Sequence, residues 1–278
     1  MERELLRKVQ LTQLEIAKEI RRVCEENGIR YFLCCGSFLG AVRHQGFIPW
    51  DDDIDVALLR EDYERFIREA PALLPEGLFL QNHKSDPAFP HIYSKLRNSQ
   101  TTYIESLVSA LPINHGVFID IFPLDGYPEN KKEQKRLEQV KKRAWSKQSC
   151  RYTYPRHYKR VRLQGFLLRI LGCHRRTAAI VARLEKKLIA YPAEHSQVLC
   201  NHGNSLSKAE YAPRWHYGQG IQGEFEGLSV TIPENYDAYL TQKYGDWRAQ
   251  LPEEEQVGHH FFEVCDLCIP YTHYFGKK

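Results

Sequence analysis

Apolar positions recur with helical spacing in some parts of the chain and with strand spacing in others. The first pattern, with apolar residues every three or four positions, stops at Asn27-Gly28 and predicts an amphipathic helix over residues 3–27. A short apolar and aromatic run over 29–35 predicts a buried strand that ends at Gly36-Ser37. Residues 53–59 alternate acidic and apolar side chains and then become wholly apolar, which predicts a strand with one end open to a site.

The remaining patterns indicate one core sheet interrupted by a helical stretch. Beyond residue 59 we expect a helix at 61–70 and then strands at 78–82, 91–97 and 117–122. A basic helical stretch follows at 130–192, then a Gly-rich hairpin at 218–232 and a further helix at 233–244. We therefore expect an α/β (mixed α+β) fold, with a core sheet, flanking helices and a basic helical insertion. The predicted division is 1–129, 130–192 and 193–278, with the last part completing the core.

Composition narrows the class of protein. With 278 residues, 42% of them hydrophobic and 27% charged, the chain is globular, and its longest dense apolar stretch, 32–42, is too short to cross a bilayer. The first ten residues carry five charges where a secretory signal would place its apolar core. The eight cysteines are therefore interpreted as thiols of a cytoplasmic protein.

Charge is distributed very unevenly along the chain. Residues 1–130 carry 14 basic and 20 acidic side chains, residues 188–278 carry 6 and 12, and residues 131–187 carry 19 and 3, a net charge of +16. Apolar residues are interleaved with Arg160, Arg162 and Arg169, a pattern typical of a helix lying on an anionic membrane. A solvated helical surface is the alternative. Nucleic acid is not expected, because no RNA- or DNA-binding motif accompanies the basic segment.

The acidic run Asp51 to Asp55 is the first candidate for chemistry. In a strand, Asp53 and Asp55 would project from the same face, and two crowded carboxylates resist ionisation unless a cation lies between them. Oxygen ligands without paired Cys or His suit Mg²⁺ or Mn²⁺. Asp51 and Asp52 are also compatible with a simple turn.

Two further features favour a phosphate site with a metal ion. Gly36-Ser37 joins a predicted strand to a helix and offers backbone N–H groups, a hydroxyl and a helix N-terminus to a phosphate. Asp120 interrupts the apolar sequence Phe118 to Phe122, and a carboxylate in a core strand needs a partner. We expect Asp120 to join the metal site and Asp125 to be structural.

The motifs around these residues resemble the LicD family of phosphocholine transferases, which is related to fukutin and placed in the nucleotidyltransferase superfamily. The resemblance spans about residues 10–260 and rests on Gly36-Ser37, Leu39 to His44, Gly46 to Trp50, Asp51 to Asp55, Gly116 to Asp125, Phe225 to Gly227, Ile232-Pro233, Tyr236, Tyr239-Leu240 and Tyr244 to Trp247. It implies a nucleotidyltransferase-like core and a metal-dependent transfer of phosphocholine, or a similar phospho-alcohol, from a CDP-choline-like donor. The implied acceptor is a hydroxyl of a cell-envelope glycan or lipopolysaccharide precursor, lipid-linked at the inner face of the membrane.

The resemblance also implies roles for individual residues. Asp53, Asp55 and Asp120 would be the metal ligands, and Asp120 is also the candidate base for the acceptor hydroxyl. Gly36 and Ser37 would hold donor phosphate oxygens. Arg43 and His44 are expected either to reach the donor or to hold the turn beside the carboxylates.

Strand spacing and aromatic content add further candidates. Tyr93, Lys95 and Arg97 would share one strand face, so the two cations are candidates for phosphate binding, with a solvated strand edge as the alternative. Choline is held by the faces of aromatic rings, and Trp50, Tyr93 and Trp247 are candidates.

Three other interpretations are kept or set aside at this point. Cys265-x-x-Cys268 is interpreted as a strand end, because a structural zinc site needs four compatible ligands. A nucleotidyltransferase that moves a nucleoside monophosphate is the alternative enzyme. A non-enzymatic binding module is the alternative class of protein.

The membrane interpretation predicts a loss of vesicle binding when basic residues are removed. Each basic side chain near an anionic surface contributes roughly 1 kcal/mol. Neutralising Arg160, Arg162 and Arg169 together should therefore weaken binding to anionic liposomes by about two orders of magnitude, as measured by co-sedimentation. Unaltered binding would exclude docking through this segment.

Overall fold

The computed structural model describes residues 1–149, 177–203, 210–258 and 260–274. Within them the helices are, in chain order, α1 (Arg3–Glu26), α2 (Cys35–His44), α3 (Arg60–Glu69), α4 (Lys131–Ser149), α5 (Thr177–Leu188), α6 (Arg214–Tyr217) and α7 (Tyr236–Tyr244). The strands are β1 (Phe32–Leu33), β2 (Asp55–Leu59), β3 (Leu78–Gln81), β4 (Ser94–Asn98), β5 (Thr102–Glu105), β6 (Val117–Gly126), β7 (Val198–Asn201), β8 (Tyr211–Pro213), β9 (Ile221–Phe225), β10 (Leu228–Ile232) and β11 (Phe262–Asp266). Short 3₁₀ turns lie at Ala70–Ala72, Ala193–His195, Glu253–Glu255 and Tyr271–His273.

A mixed sheet of seven strands, built around β6, forms the core and confirms the predicted α/β class. Its order is β1-β2-β6-β4-β3, and β6 is parallel to β2 but antiparallel to β4. The far half of β6 pairs with β7, which in turn pairs with β8. Because β2 occupies one side of β6, β4 and β7 follow each other along its other side. The remaining strands form two separate antiparallel pairs. Strands β9 and β10 form a hairpin, and β5 pairs with the distant β11.

Helix α1 follows its predicted bounds closely because its apolar stripe packs onto the sheet. The helix runs Arg3–Glu26, and Val9, Ile16, Ile20 and Val23 on this stripe are at most 1% exposed. Asn27 and Gly28 end it, with Gly28 at a φ of 59° that suits glycine. The strand at Leu78–Gln81, the hairpin of β9 and β10 and helix α7 also lie where their patterns placed them.

Three predicted strands begin later than expected, and β6 continues to Gly126, beyond its predicted end at residue 122. The apolar run at 29–35 forms only a two-residue strand, because Cys35 already begins α2. The predicted strand at 53–59 begins at Asp55, where pairing with β6 begins, so Asp53 is not on the strand. The strand predicted at 91–97 begins at Ser94. In each case the pairing partner sets the end of the strand, and periodicity alone does not reveal that partner.

The two described helices of the basic segment pack on each other and on the core. Leu137 of α4 and Val181 and Leu188 of α5 form a small apolar cluster with Ile92. The stretch 150–176, with the predicted interfacial helix and Arg160, Arg162 and Arg169, lies outside the described residues. Strands β7 and β8 return the chain to the core sheet after this segment. The division into 1–129, 130–192 and 193–278 stays a prediction.

A buried ion pair connects the helical segment to the sheet. Arg60, the first residue of α3, directly follows β2. It donates to both carboxylate oxygens of Asp125 on β6, at 2.6 and 2.9 Å, and to Glu185 on α5 at 3.1 Å. Asp125 is 1% exposed. The sequence-based view of Asp125 as a structural residue agrees with this contact. Separately, no helix of the described residues combines the length and the apolar character needed to span a bilayer.

Removal of Arg60 should be strongly destabilising. Arg60→Ala leaves the Asp125 carboxylate buried without its partner, and breaking such a pair costs about 3–5 kcal/mol. The free energy of unfolding, measured by urea denaturation, should fall by this amount. Arg68→Ala is the matched control, because its pair with Glu69 is exposed and should contribute less than about 1 kcal/mol. Equal losses in the two variants would contradict the assignment of Arg60.

Candidate active site

A cavity of about 560 Å³ opens at the end of the core sheet where β2 begins. This volume lies within the range of small-molecule sites. Eight of the twelve residues predicted from the sequence line it: Gly36, Arg43, Trp50, Asp53, Asp55, Tyr93, Asp120 and Trp247. Ser37, His44, Lys95 and Arg97 are not among its lining residues.

The acidic loop before β2 is held by two glutamines of α1. Gln10 Nε2 donates to the carbonyl oxygen of Asp51, and Gln13 Nε2 donates to that of Asp52, both at 2.9 Å. Both glutamine side chains are buried. The side-chain amides therefore supply hydrogen bonds to the loop carbonyl groups that a neighbouring strand would supply in a sheet. This is why Asp53 reaches the cavity from a loop and not, as predicted, from the strand.

Asp55 and Asp120 lie side by side on neighbouring strands. They are register partners in the parallel pairing of β2 with β6, and Lys95 on β4 is the partner of Asp120 on its other side. Partners in register share one face of a sheet, so two carboxylates and an ammonium form one row. Ser37 supports this row, because its Oγ accepts the backbone N–H of Asp55 at 2.8 Å. The structure thus places Ser37 between α2 and β2, with its side chain 2% exposed.

Burial and mutual repulsion make the ionised form of these carboxylates unfavourable and raise their pKa values. Desolvation, followed by the charges of Asp53 and Asp52, raises the pKa of Asp51, and desolvation and Asp53 do the same to Asp55. Desolvation also raises the pKa of Asp120, although Lys95 opposes it. A pocket with several raised carboxyl pKa values is typical of a functional site.

Lys95 and Arg97 belong to a buried charge network behind the cavity. Lys95 Nζ lies 2.9 Å from Asp120 Oδ1 and 3.2 Å from Glu105 Oε1. Arg97 donates to Glu105 Oε2 at 2.9 Å and to the carbonyl oxygen of Gly116, and both cations lie over the ring of Phe118. Although burial raises the pKa of Glu105, the charges of Lys95 and Arg97 outweigh it and lower that pKa overall. Arg97 is fully buried in these contacts, so the structure places it away from any donor in the cavity.

The turn from β1 into α2 brings the chain close to the acidic loop. Cys35 has a φ of 52°, in the left-handed region that non-glycine residues rarely adopt. A Cβ at Gly36 would lie 2.4 Å from Asp51 Oδ2. Glycine is needed here because a carboxylate approaches the backbone. A phosphate was the partner expected from the sequence, and the first N–H groups of α2 stay without an intrahelical acceptor for such a ligand.

Arg43 and His44 lie at the other end of α2. Arg43 Nη1 donates to the carbonyl oxygens of Trp247 and Ala249 at 3.1 and 3.0 Å, and its Nε donates to His44 Nε2 at 3.0 Å. Arg43 therefore holds the segment after α7 against α2 while it lines the cavity. Arg43 thus has a holding contact, but with the segment after α7 and not with the turn beside the carboxylates that was expected.

The three aromatic residues predicted to contact choline lie in the same cavity. Trp50, Tyr93 and Trp247 line it together with Phe122 and Tyr244. The rings of Tyr93 and Phe122 lie 4.7 Å apart. Aromatic side chains from distant parts of the chain thus line one space beside the carboxylates.

Residues to which the sequence assigned no role in the site also reach the cavity. Asp51 and Lys243 line it, and so does His260, which follows the acidic 3₁₀ turn. His260 Nδ1 lies 3.1 Å from Asp52 Oδ1 and 3.8 Å from Asp53 Oδ2. Burial alone lowers the pKa of His260, but the hydrogen bond to Asp52 and the charge of Asp53 raise it to about 9. No spacing along the chain connects His260 or Lys243 to the acidic run, so periodicity offers no signal for either.

The donor set fits a hard divalent cation. Asp53, Asp55 and Asp120 face one space, and Asp120 Oδ1, despite the nearby ammonium, is a buried oxygen without a well-angled hydrogen bond in the described structure. A cation bound by these oxygens would relieve the repulsion that raises their pKa values. Among the described residues, Asp52, Asp53 and His260 place ligand atoms within 4.8 Å of one another. Asp52 is already an acceptor for His260 N–H and Tyr103 O–H, however, and Mg²⁺ prefers oxygen ligands.

The cysteines of the Cys265-x-x-Cys268 motif lie outside the cavity lining. Cys265 is on β11 opposite Tyr103 of β5, and Cys268 follows the strand as an exposed thiol. The position of Cys265 at the end of a strand agrees with the interpretation from the sequence.

Known proteins are similar to this chain over most of its length. Residues 28–166 match the family described as LicD/FKTN/FKRP, nucleotidyltransferase domain. The chain is 31% identical over 275 residues to the lipopolysaccharide cholinephosphotransferase LicD of Haemophilus influenzae, covering 95% of this chain and 99% of that protein. It is 48% identical over 48 residues to the ribitol 5-phosphate transferase FKRP of Homo sapiens and of Mus musculus, covering 17% of this chain and 10% of each relative.

Glu105 should stabilise the protein only where it is ionised. Glu105→Gln leaves Lys95 and Arg97 buried with less negative charge and should lower the free energy of unfolding by about 3 kcal/mol near neutral pH. Because the folded-state pKa of Glu105 is lowered, its stabilisation is complete above the unfolded value of about 4.5 and is lost as the pH falls below it.

The measurement is urea denaturation of wild type and Glu105→Gln between pH 3 and 7. The difference between the two proteins should be constant above about pH 5.5 and shrink below pH 4.5. Glu25→Gln, in an exposed pair with Arg21, is the matched control and should show almost no difference. A difference for Glu105→Gln that grows on acidification would contradict this account.

Proposed function

Because the chain belongs to the LicD family, we propose that it is a transferase that moves a phospho-alcohol, phosphocholine in the first instance, from a cytidine diphosphate donor to a glycan hydroxyl. The observation that carries the proposal is the single cavity in which Asp53, Asp55 and Asp120 meet a set of aromatic rings. The relative that is similar along its whole length is named for cholinephosphate transfer to lipopolysaccharide. The FKRP relatives, named for ribitol 5-phosphate transfer, support the broader class of phospho-alcohol transfer.

Asp53, Asp55 and Asp120 would hold Mg²⁺ or Mn²⁺. When bound, the cation supplies positive charge to the donor diphosphate and to the departing CMP. Gln10 and Gln13 keep the acidic loop in place for this purpose through its carbonyl groups. The row formed by Asp55 and Asp120 keeps the two strand carboxylates at a fixed spacing.

Asp120 is the residue proposed to accept the proton of the attacking hydroxyl. Burial raises its pKa, which makes the carboxylate a stronger base, while Lys95 at 2.9 Å opposes this shift and favours the ionised form. The acceptor oxygen forms a bond to the phosphorus of the phospho-alcohol as its proton moves to Asp120. The bond from that phosphorus to the bridging oxygen breaks, and CMP leaves with the electron pair.

The aromatic rings of the cavity suit the alcohol part of the donor. A quaternary ammonium offers no hydrogen-bond donor and is attracted to ring faces. Trp50, Tyr93 and Trp247 are therefore proposed to hold choline, with Phe122 and Tyr244 beside them. Gly203 permits close packing here, since a Cβ at that position would lie 2.9 Å from the ring of Tyr93.

The basic segment 131–187 is proposed to dock at an anionic membrane that carries a lipid-linked acceptor. Its net charge is +16. On the described helix α4, Leu137 and Lys141 are buried, whereas Lys131, Lys135 and Arg136 are exposed. The inward side of α4 is thus used for packing, and an exposed basic side is left for an anionic surface.

Donor use tests the proposal directly. The protein is incubated with Mg²⁺ and CDP-choline, CDP-ethanolamine or CDP-ribitol, in separate reactions with a glycan acceptor, and CMP release is measured. We expect CMP from CDP-choline and a product that gains the mass of phosphocholine. A gain of a nucleoside monophosphate would instead support nucleotidyl transfer, the alternative enzyme.

Loss of the carboxylates should remove activity. Asp53→Asn and Asp55→Asn should each lower the rate by roughly 10³-fold or more, because the charge at the transferring phosphoryl group is no longer stabilised. Asp62→Asn on α3, outside the cavity lining, is the matched control and should keep the wild-type rate. Wild-type function in both cavity variants would favour a non-enzymatic binding module.

A further inference from the structure

The proposed donor brings two negative phosphates into a cavity that is already acidic. Five aspartates line it, of which Asp51, Asp53, Asp55 and Asp120 are at least partly buried and Asp246 is exposed. A bound cation offsets part of this charge. The phosphate oxygens that do not reach the cation need another positive group, because an uncompensated charge is costly in a partly desolvated site.

Few basic side chains line the cavity within the described residues. They are Arg43, Lys243 and His260. Arg43 lies in the last turn of α2, where its Nη1 donates to the carbonyl oxygens of Trp247 and Ala249, and His260 is paired with Asp52. Lys95 lies behind the cavity and is shared between Asp120 and Glu105. These contacts leave Lys243 as the basic residue best placed to meet a ligand.

Lys243 is paired with Glu210 and lies near the first turn of α2. Its Nζ lies 3.3 Å from both carboxylate oxygens of Glu210, and the side chains of Lys243 and Glu210 are 9% and 6% exposed. These distances exceed the usual 2.7–2.9 Å of a charge-assisted hydrogen bond, and an ammonium has three N–H donors, so Lys243 keeps hydrogen-bonding capacity for a further acceptor. The same Nζ is 3.7 Å from Cys35 Sγ, beside Gly36 and the first turn of α2.

The first turn of α2 and Lys243 together offer complementary groups to one phosphate. Helix α2 has no side-chain hydrogen bond capping its start, where the carboxylate of Asp51 approaches Gly36, and the first N–H groups of a helix have no intrahelical acceptor. A phosphate is favoured at such a helix end by these N–H groups and by the helix dipole. The ammonium of Lys243 would add the charge that backbone groups lack.

We propose that Lys243, positioned by Glu210, binds the phosphate of the donor that leaves with the nucleoside monophosphate, at the start of α2. This inference rests on the proposed function and assigns a residue to it from a helix far along the chain from the acidic run. Lys243 would act as a donor-binding residue, and Glu210 as a positioning residue. The acceptor would bind without either of them.

Donor binding and kinetics of matched variants test the assignment. Binding of cytidine diphosphate in the presence of Mg²⁺ is measured by calorimetry for wild type, Lys243→Met, Lys243→Arg and Glu210→Gln. A hydrogen bond to a charged group contributes enough to predict binding roughly 10- to 100-fold weaker in Lys243→Met. Lys243→Arg should stay within about 10-fold of wild type, and Glu210→Gln should fall between them. The Michaelis constant for the donor should rise while that for the acceptor stays unchanged.

The controls separate this inference from a loss of fold and from the proposed function. Lys18→Met, on the exposed side of α1, should bind cytidine diphosphate as wild type does. If Lys243→Met does not fold, Lys243→Arg and Glu210→Gln decide the question. Wild-type donor affinity in the folded variants would overturn the role of Lys243 alone. Failure of the wild type to bind cytidine diphosphate would overturn the proposed function, and this inference with it.

Discussion

The repulsion among carboxylates that share one partly buried cavity is the constraint on which this structure depends. Asp51, Asp53, Asp55 and Asp120 are brought together from a loop and two strands. Desolvation and like charge raise the pKa values of Asp51 and Asp55, so the folded protein holds them at a cost in stability. Such a cost is typical of sites whose ligand supplies the missing positive charge.

The scaffold holds this cluster through contacts that themselves require burial. Gln10 and Gln13 fix the acidic loop through its carbonyl groups and leave its carboxylates available. Behind the cavity, Lys95 is paired with Asp120 and Glu105, and Glu105 is also paired with Arg97. The strands behind the site are therefore joined by ion pairs as well as by backbone hydrogen bonds.

The rest of the chain closes the cavity from other directions. Helix α7 contributes Lys243, and the segment that follows it is held to α2 by Arg43. The stretch before β11 brings His260 to the acidic loop. The Arg60–Asp125 pair connects the sheet to Glu185 of the basic helices. Membership of the LicD family agrees with this arrangement of a nucleotidyltransferase-like core with additions that shape one pocket.

The amino-acid sequence predicts the elements and the acidic residues, because local periodicity records which side of each element is buried. It predicted α1, the hairpin of β9 and β10, the placement of Asp120 in a core strand, and the family through the motif around Gly36 and Asp53. The contacts between side chains that are distant along the chain became visible in the tertiary structure. It brought Lys243 and His260 to the cavity, turned Ser37 and Arg97 toward internal contacts, and placed Asp53 on a loop held by α1. These outcomes depend on which strands and helices pack together, and residues about 200 positions apart carry no spacing that records their contact.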